Sequence, residues 1–168
     1  MRIVSFGGGI QSTAMMILVA RGEIQADLFM FANVGHDSEN PGTIKYMEEV
    51  SLPYAKKHGI EIEILDCTNK KGETKTIYNE VMVRGRDIIP VRLGNGAPAS
   101  RTCTADFKVQ VLQRRLRALG ATKANPFTQL IGISMDEIRR VRHDSGVKYA
   151  TLEYPLVDLL YTRLMCVM

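Results

Sequence analysis

The apolar residues of the chain form two kinds of pattern. Short apolar-rich runs predict strands, and they lie at 2–6, 28–34, 60–65 and 127–133. Apolar residues spaced three and four positions apart predict helices with one buried face, at 12–21, 43–57 and 104–119. Because strands and helices alternate, the pattern predicts an α/β fold with a parallel sheet and helices on both of its faces. After residue 133 the pattern is mixed.

Two segments depart from this regular alternation. Pro53 falls inside the second helical segment and predicts a kink or a split there. The connection from Asp66 to Arg101 is long and rich in Gly, Lys and Arg, with a short helix predicted at 77–83. Connections of this length often carry function. Its arginines are candidate substrate contacts, or else the charges of a solvated loop: Arg84, Arg86 and Arg92.

The turn after the first strand is the most informative segment. Gly7-Gly8-Gly9 follows the strand directly, and Ile10-Gln11-Ser12-Thr13 leads into the first helix. Glycine permits a positive φ and lets an anion approach the backbone N–H groups closely. Ser12 and Thr13 are placed to cap the helix, whose unpaired N–H groups and dipole favour an anion. The segment therefore predicts a phosphate-binding loop.

Two common nucleotide-binding motifs fit this loop poorly. A Walker loop ends in Gly-Lys-Ser/Thr, whereas here Gln11 precedes Ser12 and lysine is absent. A dinucleotide fingerprint fits Gly7-x-Gly9-x-x-Ser12 except at its third position, but it also requires an acid at the end of the second strand. That strand ends in Ala32-Asn33-Val34, without a carboxylate.

A third motif fits better. The segment Ser5-Phe6-Gly7-Gly8-Gly9-Ile10-Gln11-Ser12-Thr13 resembles the pyrophosphate loop, Ser-Gly-Gly-x-Asp-Ser, of the N-type ATP pyrophosphatases, in the variant found in phosphoadenylyl sulfate (PAPS) reductase-like members. The resemblance implies a Rossmann-like, adenine nucleotide alpha hydrolase-like sheet that binds ATP or a related nucleotide with Mg²⁺. It implies that the nucleotide contacts Ser5, Phe6, Gly7, Gly8, Gly9, Gln11, Ser12 and Thr13. Gly7 replaces the usual serine and Gln11 the usual aspartate.

The segment after the second strand extends the resemblance. Ala32-Asn33-Val34-Gly35-His36-Asp37-Ser38-Glu39 stands where related enzymes carry a segment like Asp-Thr-Gly-x-Glu. In those families the strand edge takes adenine and ribose, which implies contacts from Ala32 and Asn33. The acidic loop lies near the reacting end, which makes Asp37 a candidate catalytic residue. The alternative is a solvated loop in which Asp37 or Ser38 caps the next helix.

Two further elements resemble the same superfamily. Cys103-Thr104-Ala105-Asp106-Phe107-Lys108 matches a Cys-Thr-x-x-x-Lys element, which implies that Lys108 meets a terminal phosphate or sulfate and that Thr104 caps its helix. The arginines of that helix are interpreted as its solvated face: Arg114, Arg115 and Arg117.

The segment from Gly132 to Arg140 resembles Gly-Ile-Arg-x-x-Glu-Ser-x-x-Arg, with Ser134 in place of the first arginine. It implies that Gly132 adjoins the nucleotide and that Glu137 is catalytic. Three nearby arginines are candidates to neutralise leaving pyrophosphate: Arg139, Arg140 and Arg142. The sequence predicts no dedicated set of metal ligands. The alternative is an exposed helix start whose acids complement the helix dipole.

Composition fits one domain over 1–168. The resemblance implies that this domain lacks the cysteine-bearing tail of relatives. The chain has 168 residues and is 45% hydrophobic, enough for one core. We expect a cytoplasmic protein with no membrane segment. Cys67, Cys103 and Cys166 predict neither a disulfide framework nor a zinc site. The net charge of +4 suits polyphosphate or nucleic acid equally, and self-association is left open.

These expectations leave three functions open. The first is ATP cleavage between the α and β phosphates, which would adenylylate an unidentified second substrate for attack by sulfur or nitrogen. The second is sulfonucleotide reduction with a cysteine supplied by another chain, since no Glu-Cys-Gly-Leu-His-like element is present. The third is nucleotide binding without catalysis, which Gly7, Gln11 and Asn33 favour.

Overall fold

The computed structural model describes residues 1–69, 71–92, 94, 96 and 102–167. These residues form a five-stranded parallel sheet in the order β3-β2-β1-β4-β5. The strands are β1 (Arg2–Phe6), β2 (Leu28–Asn33), β3 (Ile62–Asp66), β4 (Phe127–Ile131) and β5 (Ala150–Glu153). The strand order reverses between β1 and β4, as in doubly wound Rossmann-like sheets, where ligands bind at the carboxyl ends of the strands beside that reversal.

Helices connect the strands. They are α1 (Ile10–Ala20), α2 (Pro41–Tyr46), α3 (Leu52–Lys57), α4 (Gln110–Ala118) and α5 (Pro155–Asp158). π-Helical turns at Met47–Ser51 and Ala105–Val109 join α2 to α3 and precede α4, and a third lies at Asn79–Val83. A 3-10 helix spans Met135–Arg140. The helical turns over residues 77–83, which end in the π-helix Asn79–Val83, confirm the short helix predicted there.

The two faces of the sheet bury separate clusters because side chains alternate along each strand. On one face Val4 and Phe31 pack with Met15 of α1, together with α3 and α5. On the other face Met30 packs with Phe107 and with α4. The prediction of an α/β parallel sheet with helices on both faces is therefore confirmed.

The structure refines the element boundaries. The segment predicted as one helix at 43–57 is helical from 41 to 57 but has a π-turn directly before the first turn of α3. Pro53 lies in that first turn and has no backbone N–H to donate to the carbonyl four residues earlier, as a residue of a regular α-helix would. The helical path is thus distorted and not split.

Strand β5 was not predicted. It is a short edge strand whose residues beyond Ala150 are half-buried or exposed, so its sequence lacks a clear apolar run. Within the described residues, no helix is long and apolar enough to cross a bilayer.

Candidate functional site

The glycine loop lies at the carboxyl end of β1, beside the reversal of strand order. Gly8 has a φ of +67°, and a Cβ there would stand 2.9 Å from Cγ2 of Thr43 on α2. Added Cβ atoms at Gly7 and Gly9 would meet nothing within 4 Å. Gly8 is therefore required by the fold, whereas the faces of Gly7 and Gly9 are open to a ligand.

The first helix begins earlier than predicted, and this changes the role of Ser12. Helix α1 starts at Ile10, with Gly9 as its N-cap residue and no side-chain cap. The Ser12 hydroxyl donates to the Gly9 carbonyl at 2.9 Å and accepts from the Gly7 N–H at 3.4 Å. Ser12 thus ties the loop together from inside the first turn, and the prediction that Ser12 and Thr13 cap the helix is wrong. Oγ1 of Thr13 is buried and has no hydrogen-bond partner among the described residues.

A cavity of about 210 Å³ opens between the ends of β1, β2 and β4 and the start of the α4 helix. We call it the switch-point cavity; its walls are Ser5, Phe6, Gly7, Phe31, Ala32, Lys108, Val109, Leu112, Gln129 and Ile131. Three segments singled out in the sequence therefore meet at this cavity. The glycine loop contributes Gly7, the second strand contributes Ala32, and the turn before α4 contributes Lys108. Their meeting follows from parallel topology, which brings strand ends to one edge.

The switch-point cavity has a polar wall that the sequence did not reveal. Nε2 of Gln129 donates to Oγ of Ser5 at 2.7 Å, across adjacent strands. Both residues are half-buried. The signal in the sequence is a single amide, next to Thr128, within a strand whose other residues are apolar.

Lys108 reaches the cavity from the π-turn before α4. Its Nζ lies 3.5 Å from Oε2 of Glu39, a contact that joins the fourth helix to the loop after β2. Thr104 already has helical backbone angles and makes no capping hydrogen bond, so the predicted cap is wrong. The cation that Lys108 brings to the cavity is therefore held by a carboxylate.

Asn33 and Asp37 lie beside the cavity and not within it. Nδ2 of Asn33 donates to Oδ1 of Asp66 at 2.8 Å, and Asp66 is its register partner on β3. A carboxylate therefore stands at this strand edge after all, supplied by the neighbouring strand. Oδ2 of Asp37 accepts from the Thr76 hydroxyl at 2.9 Å, which occupies Asp37 with the following connection.

The cap of the next helix is also different from the predicted one. Asn40 is the N-cap of α2 and accepts from the Gly42 N–H at 2.8 Å. Asp37 instead accepts from the Ser38 hydroxyl at 2.8 Å. The alternative roles of Asp37 and Ser38 as helix caps are therefore wrong.

The segment from Gly132 to Arg140 meets the far side of the glycine loop. A Cβ at Gly132 would lie 3.2 Å from the backbone N of Ser12, so the strand end packs directly on the first turn of α1. Nε2 of Gln11 donates to Oε2 of Glu137 at 2.9 Å, while Oε1 of Glu137 pairs with Arg140 at 2.7 Å. Gln11 thus connects the loop to a carboxylate distant in sequence.

A second cavity, of about 380 Å³, lies on the α1 side of the loop. Gly8 and Gly9 line it together with Cys166. Burial raises the pKa of the Cys166 thiol; Asp136 adds to this increase and Arg163 opposes it. The thiol beside the loop is therefore mostly protonated at neutral pH and a weak nucleophile.

The basic residues away from the loop have local partners. Arg115 pairs with Glu63 at 2.8 Å, and the Arg117 guanidinium lies 5.7 Å from the centre of the Tyr149 ring. Arg117 is exposed, as expected of a solvated helix face, whereas Arg115 is half-buried against β3. Arg92 donates to the Gly96 carbonyl at 3.4 Å.

Buried Glu80 organises the other cations of the long connection. Its carboxylate, 2% exposed, contacts Arg86 at 2.6 Å, Arg84 at 3.0 Å and Lys75 at 3.5 Å. Burial acts to raise the Glu80 pKa, but the hydrogen bond from Arg86 and the charges of the three cations outweigh it, so the pKa lies below its ordinary value. Arg84 and Arg86 therefore fasten the segment, whereas the sequence alone predicts either substrate contacts or the charges of a solvated loop.

Cys67, Cys103 and Cys166 are free thiols. Among the residues that the structure describes, no group of three or more His, Cys, Asp or Glu side chains is arranged to hold a metal ion. Glu137 is the candidate carboxylate closest in the hydrogen-bond network to the glycine loop, through its bond to Gln11.

No protein-family model matches the chain, and no curated protein matches its sequence significantly. Among solved structures, the fold is similar to that of the U34-tRNA thiolase NcsA from Methanococcus maripaludis, determined with its [4Fe-4S] cluster. The TM-score is 0.50 at 14% sequence identity. The similarity covers 97% of this chain and 56% of NcsA, so the chain spans a little over half the length of that enzyme. At this identity the likeness supports the Rossmann-like α/β fold.

Proposed function

We propose that this chain binds ATP or a related adenine nucleotide at the glycine loop and the switch-point cavity, as a PP-loop domain. One observation carries the proposal: the glycine loop, the ends of β1, β2 and β4, and Lys108 all border one cavity. This is the edge at which open α/β sheets bind ligands.

The size of the cavity suggests how the nucleotide would lie. Its volume of about 210 Å³ is below the roughly 300–1,000 Å³ of pockets that enclose a whole drug-sized ligand. It therefore suits the base and part of the ribose, against the apolar walls and the Gln129 amide. The phosphates would lie outside it, on the open faces of Gly7 and Gly9, where backbone N–H groups and the α1 dipole favour an anion.

We propose further that bound ATP is cleaved between its α and β phosphates. An oxygen of the second substrate would attack the α-phosphorus, the new O–P bond would form, and the bond to the β-phosphate oxygen would break, releasing pyrophosphate. The task of the protein is to position the reactants and to neutralise charge. Lys108 would supply one cation after exchanging Glu39 for phosphate. Mg²⁺ would be held mainly by the phosphate oxygens, whose charge it would offset, and Glu137 would become a ligand by releasing Arg140.

A sulfur or nitrogen nucleophile would then attack the carbon that bears the adenylylated oxygen, and the bond from that carbon to the oxygen would break, releasing AMP. NcsA is a U34-tRNA thiolase, and its similar fold supports a sulfur-transfer context for this chain. A second candidate is nucleotide binding without cleavage. It is favoured by Gln11, which stands at the aspartate position of the motif and whose amide is occupied by Glu137.

Calorimetric titration with ATP tests the binding proposal. Lys108→Ala should weaken ATP binding about 10- to 150-fold, because a hydrogen bond to a charged group contributes roughly 1.5–3 kcal/mol. The matched control is Arg117→Ala, which removes a cation from the solvated face of the same helix and should leave affinity within about twofold. Equal and negligible losses in both variants would remove Lys108 from the site.

Pyrophosphate release separates catalysis from binding. Candidate acceptors, including tRNA, would be supplied with ATP and Mg²⁺ and pyrophosphate measured. Release by the wild type that is lost in Glu137→Gln supports cleavage. Tight ATP binding with no release in the presence of any acceptor would favour the binding module.

A further inference from the structure

The segment after α5 returns to the glycine loop and places an arginine there. The Met135 N–H donates to the Tyr161 carbonyl at 2.8 Å, and the Arg163 N–H donates to Oδ2 of Asp136. These bonds clip the segment to the 3-10 helix that follows β4. The Arg163 side chain then extends to α1, where its Nη1 lies 3.4 Å from Oε1 of Gln11.

The charge balance separates Arg163 from two other cations near the glycine loop. Arg140 is paired with Glu137 at 2.7 Å, and Lys108 is paired with Glu39. Within the described part of the chain, the Arg163 guanidinium contacts no carboxylate, and its side-chain contact is the neutral amide of Gln11. A guanidinium has five N–H donors in a planar fork that suits phosphate oxygens, so most of its donors are unused by those residues.

The Gln11 amide explains why this guanidinium is not neutralised. Its NH₂ group donates to Glu137 while its carbonyl accepts from Arg163. The amide therefore stands between a carboxylate and a guanidinium that would otherwise attract each other. An aspartate, as in the motif, could not donate to Glu137 and would itself pair with Arg163. The motif departure at position 11 thus fits an arginine that is kept available beside the loop.

We propose that Arg163 binds the outer phosphates of the nucleotide, with Gln11 as the residue that positions it. The inference rests on the proposed nucleotide site and adds a phosphate ligand from the last turn of the described chain. Because Arg163 lies at the first turn of α1 and does not line the switch-point cavity, its contact belongs to the phosphates and not to the base.

The test compares ligands with different numbers of phosphates. ATP, AMP and inorganic pyrophosphate would be titrated into the wild type, Arg163→Gln, Arg163→Lys and a control, Arg21→Gln, which removes an exposed cation at the other end of α1. Arg163→Gln should weaken ATP and pyrophosphate about 10-fold or more and AMP less than twofold. Arg163→Lys should recover part of the loss, since charge is kept without the planar fork.

Each result decides the inference. Equal loss of ATP and AMP, or a lower melting temperature that accounts for the loss, would make Arg163 structural and overturn it. Loss in Arg21→Gln as large as in Arg163→Gln would reduce the effect to net charge and overturn it as well. If pyrophosphate binding depends on Arg163 but the wild type binds ATP no more tightly than pyrophosphate, Arg163 remains a phosphate ligand and the proposed adenine-nucleotide function is rejected.

Discussion

Replacing Gly8 by alanine tests whether the loop conformation is set by the fold. At a φ of +67° the backbone is in the left-handed region, where a residue with a Cβ is destabilised by roughly 1–2 kcal/mol. The new Cβ would also stand 2.9 Å from Cγ2 of Thr43, about 0.6 Å inside ordinary carbon contact distances. Moving the Thr43 side chain off its rotamer adds roughly 0.5–1.5 kcal/mol.

These contributions partly oppose a gain in the unfolded state. Alanine reduces the freedom of the unfolded chain, which stabilises by about 0.4–1 kcal/mol. The net expectation for Gly8→Ala is a loss of about 1–2.5 kcal/mol of unfolding free energy. For a chain of this size that lowers the melting temperature by roughly 2–10 °C. Urea unfolding and a thermal melt measure the two quantities directly.

A second substitution separates the two causes. Thr43→Ser removes Cγ2, so Gly8→Ala/Thr43→Ser should recover the contact part of the loss and keep the left-handed part. Gly7→Ala is the matched control, since Gly7 does not have a positive φ and a Cβ there meets nothing within 4 Å, so stability should stay within about 0.5 kcal/mol. The reasoning is refuted if Gly8→Ala is as stable as the wild type, or if Gly7→Ala loses as much as Gly8→Ala.

Two further predictions concern buried and paired charges. Glu80→Gln should destabilise by on the order of 2 kcal/mol, because it leaves three cations without their carboxylate. The folded-state pKa of Glu80 is lowered, so its stabilising effect is complete above its unfolded-state pKa near 4.5 and is lost as the pH falls through the lower folded-state value. Wild type and Glu80→Gln should therefore converge in acid, and a constant difference down to pH 2 would contradict this. Gln11→Glu in an Arg163→Gln background should set two carboxylates about 3 Å apart and lower the unfolding free energy by about 1–2 kcal/mol at low salt and less in 1 M salt. With Arg163 present the loss should be smaller, because the new carboxylate pairs with the guanidinium. A loss that does not depend on salt would refute the charge argument.

Local patterns in the sequence determined the fold class and the phosphate-binding candidate. Four strands and the main helices follow from apolar spacing, because each element must bury one face whatever its neighbours are. The glycine triplet before a helix predicts an anion site for an equally local reason, the freedom of φ and the unpaired N–H groups. The edge strand β5 was not predicted, because its residues beyond Ala150 are half-buried or exposed and its pattern of apolar residues is weak.

The contacts between distant residues were decided by tertiary structure alone. Three side-chain contacts near the site join residues far apart in the chain: Gln129 with Ser5, Lys108 with Glu39, and Arg163 with Gln11. No local pattern encodes such a pairing, since it depends on strand order and on which helix covers which face. The same holds for the wrong helix caps: the sequence determined that Ser12 and Thr104 lie near helix starts, but packing fixed where each helix begins. The sequence determined the strand, loop and helix that would hold phosphate. Only the tertiary structure decided which distant charges surround them, because the topology of the sheet brings together side chains whose proximity cannot be read from their spacing along the chain.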